Sequence, residues 1–242
     1  MTSKLLLSAL LFSITPITVF AHNNEAREET THEVVLPKSV QDRLDFRKNV
    51  KNTLKDITAE DTAALSGNYD YVDPNHFIPQ KLRDEALAYF DVNKKNFANQ
   101  KYLSIVDFST HSSKPRFYLV DMTTGAVTAL HTSHGKGSDT NNDGYAERFS
   151  NTSGSEMSSL GYFRVAETYN GKHGLSIRLD GLSSTNSNAR ARAVVVHSAS
   201  YVSEASKTAG RSWGCFVIDP KYISTVISKI KNGSLLYANL SK

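Results

Sequence analysis

Cys215 is the only cysteine among the 242 residues of this chain, and that count limits how the fold can be held together. A single cysteine cannot close an intramolecular disulfide, so the chain cannot be a small domain stapled by several bridges. Residues 22–242 are enough for one domain with a substantial hydrophobic core. An exposed thiol is open to oxidation in an oxidising compartment, so this residue is either buried and inert or retained because its sulfur reacts.

The first 21 residues have the features of an export signal. Lys4 supplies a positive start, residues 5–19 are mainly apolar, and Ala21 ends a segment with small or branched residues where a signal peptidase cleaves. The apolar stretch has roughly 15 residues, whereas about 20 are needed to span a bilayer. We therefore predict a signal peptide at 1–21, a periplasmic or cell-envelope location, and no stable membrane span after cleavage. An uncleaved membrane anchor is the alternative.

Charge patterning argues against a nucleic-acid partner. The formal net charge is only +4, and the charged residues are interspersed rather than gathered in runs.

Residues 22–32 are polar and aperiodic, which is typical of a disordered stalk. Apolar residues then recur at helical spacing from Ser39 to Ile57, and Thr58 to Asp61 loosely match a capping box. We assign residues 22–74 to this polar stalk and helical N-terminal segment.

From residue 75 to 242 the pattern predicts a mostly-β (α+β) domain. One helix is expected to begin near Pro79 and to end around Asn93 to Asn99, and another is expected over 220–231. Short β-type runs are found at 102–108, 116–121, 126–131, 162–167, 175–179, 193–197 and 234–240. The polar segment 132–160 has no periodicity, and a loop of this length is usually functional or disordered.

Cys215 and His197 are the candidate nucleophile and base. His197 ends an apolar run eighteen positions before Cys215 (215 − 197), so a base at a strand end and a thiol on a later turn can meet. A free thiol is only about 3% thiolate at pH 7, whereas each backbone N–H aimed at an oxyanion contributes about 10²–10³ in rate. Gly214 permits a tight turn with positive φ, so the amides of Gly214 and Cys215 are the predicted donors. This arrangement predicts acyl transfer through a thioester.

These residues also have structural interpretations. Cys215 can be a small hydrophobe at the start of a buried strand, and a lone histidine at a strand end is often structural. Residues 139–144 match the start of a Ca²⁺ loop, but its twelfth position is Ser150 rather than Glu. A turn rich in Asx residues explains the segment more simply. No residues have the spacing of a zinc site, so we predict no metal and no cofactor.

The segment that ends at Cys215 resembles the active-site signature of the L,D-transpeptidase catalytic-domain (YkuD-like) family. The resemblance lies in Val196-His197-Ser198-Ala199 and Gly210-Arg211-Ser212-Trp213-Gly214-Cys215, and is closest to the exported branch with Ser-Trp-Gly-Cys. Further matching segments lie at 134–138, 149–151, 158–162 and 169–174, so the similarity covers roughly residues 75 to 240.

The resemblance implies an L,D-transpeptidase-like β-sandwich that remodels peptidoglycan. Cys215 would attack the L-to-D peptide bond of a stem tetrapeptide, release the terminal D-Ala and pass the acyl group to an acceptor amine. His197 would be the base, the Ser198 main-chain carbonyl would orient its imidazole, and Trp213, Gly214 and Cys215 would supply oxyanion amides. Peptidoglycan stem peptides are the implied partner. With water as acceptor the protein would be an L,D-carboxypeptidase, and a non-catalytic wall-binding module is a third interpretation.

Trp213 stands where the commoner signature has a second histidine, which leaves the role of that histidine to His134 or His173. Arg211 is the candidate clamp for a substrate carboxylate, because a guanidinium forks onto two oxygens. The remaining substrate-binding candidates are Trp213, Ser212, Ser159, His134 and His173. Each has a plainer interpretation as a loop or core residue, and Tyr201 is expected to be structural.

Overall fold

The computed structural model describes residues 53–65, 67–205 and 207–242. Its strands are β1 (Tyr102–Asp107), β2 (Phe117–Asp121), β3 (Val127–Leu130), β4 (His134–Gly135), β5 (Gly161–Gly171), β6 (Gly174–Gly181), β7 (Val195–Ser198), β8 (Val202–Ser203), β9 (Thr208–Ala209), β10 (Arg211–Ser212), β11 (Phe216–Ile218) and β12 (Leu235–Asn239). Eight of them form one sheet in the order β11-β7-β6-β5-β12-β1-β2-β3. Two small sheets pair β10 with β4 and β8 with β9.

The central strands of the main sheet are buried on both faces. Along the central strand β12, Leu236 and Ala238 belong to one hydrophobic cluster, whereas Leu235 and Tyr237 belong to another. This period of two is what a strand covered on both sides requires, because successive side chains point to opposite faces. Full burial of a leucine-sized side chain contributes roughly 1.5–3 kcal/mol to the stability of the fold. The mostly-β prediction is confirmed.

Three α-helices flank this sheet in the described residues: α1 (Ala59–Ala63), α2 (Gln80–Val92) and α3 (Ile223–Ile230). The buried face of α3 consists of Ile223, Val226, Ile227 and Ile230, which recur at helical spacing. Helices α2 and α3 confirm the two predicted helices, and α2 ends at Val92, just before the range 93–99 expected for its end. None of the helices in this part of the chain has the length and apolarity to cross a membrane.

The capping box before α1 forms with Asp in place of the usual Glu or Gln. The Thr58 hydroxyl accepts a hydrogen bond from the Asp61 amide at 3.2 Å, and the Asp61 carboxylate accepts one from the Thr58 amide at 2.8 Å. Both amides are therefore satisfied even though Asp is shorter than Glu, so the loose sequence match marks a true helix start.

The helix predicted up to Ile57 is wrong for residues 53–57. Asn93, at the end of α2, accepts from the Lys55 amide at 2.8 Å and donates to the Lys55 carbonyl at 2.9 Å. This side chain binds both main-chain groups of Lys55, so the segment lies non-helically against α2. The predicted signal peptide at 1–21, the stalk at 22–32 and the rest of this helix from 39 to 52 lie outside the described residues.

Candidate active site

The pairing of β7 with β11 brings the candidate base and nucleophile together. These strands are parallel neighbours, with Val196 opposite Phe216 and His197 opposite Val217. Cys215 directly precedes β11, so it lies beside the strand that carries His197. Both residues line one cavity of about 510 Å³. The strand pairing thus explains how residues eighteen positions apart (215 − 197) share a site.

The main-chain carbonyl of the next residue fixes one edge of the His197 imidazole. Its Nδ1 lies 3.0 Å from the Ser198 carbonyl oxygen. A carbonyl can only accept, so Nδ1 carries the hydrogen and the neutral ring keeps its free lone pair on Nε2. Burial lowers the pKa of His197; the hydrogen bond to Ser198 opposes this, while positive charge at His173 and Lys172 adds to it. The imidazole is therefore a neutral base at pH 7.

Cys215 is a thiol rather than a thiolate in this environment. The residue is partly exposed, and its Sγ donates toward the Ala193 carbonyl at 3.7 Å. Burial raises the pKa of the thiol, and this effect exceeds the opposing hydrogen bond from the Val195 backbone and the positive charges of Arg192 and Lys172. Both the thiol and the imidazole at this cavity are thus neutral, so attack by the sulfur needs transfer of its proton to a base.

Gly214 meets two demands in the turn before the nucleophile. Its φ of +111° lies where residues with a Cβ are strained. A Cβ at this position would also lie 2.5 Å from the Met157 carbonyl oxygen. The glycine therefore allows the turn to pack directly against the main chain of the 150–159 segment.

The Gly214 amide is already engaged and cannot serve as an oxyanion donor, which corrects that prediction. It donates to the Ser212 hydroxyl at 3.1 Å, and this hydroxyl donates to the Cys215 carbonyl at 2.8 Å. Ser212 is buried, and although it lines the cavity, its hydroxyl is engaged within the turn that leads to Cys215. The Trp213 and Cys215 amides stay the predicted donors.

Arg192 is a site residue that the sequence analysis missed. It lines the cavity, and its two terminal nitrogens make four hydrogen bonds to the 150–159 segment. The acceptors are the carbonyls of Ser150 and Met157 and the hydroxyls of Ser155 and Ser159. Because the Met157 carbonyl also lies against Gly214, Arg192 holds in place the main chain that contacts the turn before Cys215. The only sequence signal is an arginine three positions before the buried strand β7.

Ser159 does not bind substrate directly, contrary to its prediction. Its hydroxyl donates to the Ser150 carbonyl at 2.8 Å and accepts from Arg192, and the residue is 1% exposed. Its contribution is to hold Arg192.

His134 is likewise excluded as a direct substrate ligand, because its side chain is fully buried in β4. Arg116 donates to its Nδ1 at 2.8 Å, so the hydrogen lies on Nε2, which donates to the Asp139 carboxylate at 3.0 Å. Burial lowers the pKa of His134 to about 4, and the charge of Arg116 acts in the same direction. His134 therefore belongs to a structural network beneath the site and does not replace the family's second histidine there.

Residues 139–144 form a turn in which the Asp139 carboxylate is already used. Besides His134 it accepts from the amides of Asp143 and Gly144, at 3.0 and 3.1 Å. This is the Asx-type arrangement that the sequence analysis favours over a calcium loop. Within the described ranges, no group of three His, Cys, Asp or Glu residues is placed to hold a metal ion.

Arg211, Trp213, His173 and Tyr201 all line the cavity. Arg211 is half-buried and donates through one nitrogen to the Asp139 carbonyl. Trp213 is 69% exposed, with the Lys136 ammonium 5.6 Å from its ring centroid. It is therefore not a core residue.

Tyr201 lies at the site, although the sequence analysis expected a structural role. Burial raises its pKa to about 12, and a hydrogen bond to Ser133 opposes this. Its hydroxyl therefore stays protonated at neutral pH.

Comparison with known proteins gives one strong match. The family model described as "L,D-transpeptidase catalytic domain" matches residues 75–239. No curated protein matches the chain.

The solved structures that match this chain have low sequence identity to it. An L,D-transpeptidase from Mycobacterium smegmatis is 16% identical over 57% of this chain and 58% of that chain, with a TM-score of 0.36. One from Mycobacterium tuberculosis H37Rv is 12% identical over 57% of each chain, with a TM-score of 0.38. One from Xylanimonas cellulosilytica is 14% identical over 62% of this chain and 69% of that chain, with a TM-score of 0.35. The chain spans less than two thirds of the length of the two mycobacterial structures.

Proposed function

This chain belongs to the L,D-transpeptidase catalytic-domain family, and we propose that it remodels peptidoglycan by acyl transfer through a thioester on Cys215. One observation carries the proposal. The sole thiol of the chain shares a cavity with a neutral histidine whose Nδ1 is bound to a carbonyl, so that Nε2 is free to accept a proton.

In the acylation step, His197 Nε2 accepts the thiol proton as Cys215 Sγ attacks the carbonyl carbon of the L-to-D bond in a stem tetrapeptide. A C–S bond forms, and the carbonyl oxygen becomes an oxyanion facing the amides of Trp213 and Cys215. The C–N bond then breaks, and the imidazolium gives the proton to the leaving amine of D-Ala. The products are a thioester on Cys215 and free D-Ala.

In the second step, the acceptor attacks the thioester carbonyl while His197 takes the acceptor's proton. The C–S bond breaks, the acyl group is transferred, and Cys215 leaves as a thiolate that recovers the proton from the imidazolium. Ser198 holds the ring in the same tautomer for both steps through its main-chain carbonyl.

The charges around the cavity support an anionic peptide as donor. Lys172, Arg192 and Arg211 line it, and none of its described lining residues is Asp or Glu. Arg192 spends both terminal nitrogens on the 150–159 segment, whereas Arg211 is anchored through one nitrogen. We therefore assign carboxylate binding to Arg211. Arg211→Ala should raise KM for a tetrapeptide donor about tenfold with a smaller change in kcat, and an unchanged KM would remove Arg211 from this role.

The same charges favour a second candidate, an L,D-carboxypeptidase. An acceptor amine arrives at neutral pH as an ammonium ion, which Lys172 and Arg211 repel, whereas water is not repelled. Hydrolysis is thus favoured over cross-linking unless the acceptor approaches from outside the cavity.

Incubation with tetrapeptide muropeptides tests both candidates. Intact-protein mass spectrometry should detect an acyl adduct on the wild type and none on Cys215→Ala, with unchanged circular dichroism. Cross-linked dimers indicate a transpeptidase and tripeptides alone a carboxypeptidase. If Cys215→Ala leaves products and wall effects unchanged, the protein is a non-catalytic wall-binding module.

Export through a signal peptide at 1–21 and the division into a 22–74 segment and a 75–242 catalytic domain are also proposals. N-terminal sequencing of the protein from the cell envelope tests the first. A mature chain that starts after Ala21 would support it, and a chain that keeps Lys4 would contradict it.

A further inference from the structure

His173 lies at the tip of a tight hairpin that reaches over the cavity. Strand β5 ends at Gly171 and β6 begins at Gly174, which pair with each other, so Lys172 and His173 form a two-residue turn. Gly174 has a φ of +71°, a value suited to such a turn. The hairpin therefore presents these two side chains at a defined height above the sheet.

The ring of His173 is stacked on the ring of His197. Their centroids are 4.3 Å apart and the ring planes differ by 24°. His173 is itself exposed, while His197 is only 4% exposed. One face of the His197 ring is thus covered by a residue of the β5–β6 hairpin, and Nδ1 at its edge is hydrogen-bonded to the Ser198 carbonyl.

Two contacts in different directions restrict a ring more than either does alone. The hydrogen bond from Nδ1 fixes one edge of the His197 imidazole but leaves it free to tilt about that bond. A stacked ring resists this tilt and keeps water from that face. It also hinders the ring flip that would exchange Nδ1 with Cδ2 and so break the hydrogen bond to the Ser198 carbonyl.

We propose that His173 is a positioning residue that holds the His197 ring in the plane and tautomer required of the base. The inference rests on the proposed role of His197. It assigns to the hairpin tip a task distinct from substrate binding, because His173 acts through the face of another imidazole.

The stack also has an electrostatic consequence. The titratable and charged residues that line the cavity with His197 are Tyr169, Lys172, His173, Arg192, Tyr201, Arg211 and Cys215. None of them is a carboxylate. The charge of His173 lowers the pKa of His197, so removal of His173 should let His197 protonate at a higher pH.

Two variants at position 173 separate the stack from the charge. His173→Phe keeps a flat ring without a charge, and His173→Ala removes both. Asn170→Ala is the matched control, since Asn170 is exposed on the same hairpin and does not line the cavity. We expect His173→Ala to lower kcat about 10- to 100-fold with little change in KM, and His173→Phe to restore most of the loss. Both should move the acid limb of the kcat/KM profile to higher pH.

Imidazole ¹H–¹⁵N spectra provide a readout that does not need turnover. His197 should be the Nδ1–H tautomer in the wild type, Asn170→Ala and His173→Phe, and a mixture in His173→Ala. The inference is overturned if His173→Ala leaves tautomer and kcat unchanged, or if it raises only KM, as a substrate contact would. Absence of turnover in the wild type would refute the proposed function, while the tautomer comparison would still decide the role of His173.

Discussion

Replacing Gly214 by alanine tests how the turn before the nucleophile is held. The φ of +111° costs a residue with a Cβ about 1–3 kcal/mol. The new Cβ would also lie 2.5 Å from the Met157 carbonyl oxygen, well inside the normal contact distance of roughly 3.5 Å. That carbonyl cannot withdraw freely, because it accepts a hydrogen bond from Arg192 at 2.6 Å. We therefore expect the turn to move, with a total loss of about 2–5 kcal/mol in the free energy of unfolding.

Gly154 supplies a matched control for this substitution. It has a φ of +76°, lies in the same 150–159 segment, and has no atom within 4 Å of the position that a Cβ would take. Gly154→Ala thus carries the backbone strain without the collision and should cost about 1 kcal/mol. The difference between the two variants reports the collision with Met157 together with any extra backbone strain at the larger φ of Gly214.

Thermal unfolding and acyl-enzyme formation are the assays. Each kcal/mol lowers Tm by about 2–4 °C in a domain of this size, so Gly214→Ala should unfold several degrees below Gly154→Ala. A displacement of Cys215 by about 1 Å should also slow acylation about 100-fold, while Gly154→Ala acylates as the wild type does. Equal Tm values together with full activity of Gly214→Ala would refute the argument that this contact positions the nucleophile.

Three further predictions follow from the same geometry. Arg192→Ala leaves the acceptors of four hydrogen bonds without their partner and should lower the free energy of unfolding, measured in urea, by about 3–5 kcal/mol. Arg192→Lys should recover only part of this loss. A loss below about 1 kcal/mol in Arg192→Ala would contradict the role of Arg192 in holding the 150–159 segment. The pKa of His197 is lowered, so the ring stays an unprotonated base below its ordinary range, and kcat/KM should persist below pH 6.5 before it falls; a midpoint above 6.5 would be inconsistent with a buried base. The pKa of His134 is lowered to about 4, so the unfolded chain takes up a proton below pH 6.5 that the folded chain refuses, and stability should fall as pH drops from about 6.5 to 4, by an amount on the order of 3 kcal/mol. His134→Asn should flatten this slope in pH-dependent denaturant unfolding, and an identical slope in the variant would exclude His134 as its source.

Local patterns in the sequence predict the scaffold of the site well. The apolar spacing of α3 and the alternation in the central strands are properties of neighbouring residues, and both are present in the structure. The hydrogen bond between His197 and the Ser198 carbonyl joins adjacent residues, and the family resemblance implies it. What these features share is short separation along the chain.

The missed and misassigned residues depend on contacts that the sequence does not display. Arg192 acts on acceptors such as the Ser150 carbonyl, 42 positions away. His134 and His173 both stand beside glycines in the sequence, yet β4 buries the first and the β5–β6 turn presents the second at the cavity. The Gly214 amide was misassigned for another reason, since the Ser212 hydroxyl competes for it from two residues away.

The raised pKa of the lone thiol makes the folding of this protein directly observable by chemistry. An alkylating reagent reacts with thiolate, and the unfolded chain holds more thiolate at a given pH than the native chain does. With one cysteine per molecule, each molecule takes up at most one label at its thiol. The rate of labelling by iodoacetamide, read by mass, should therefore rise as the chain unfolds, without any engineered probe.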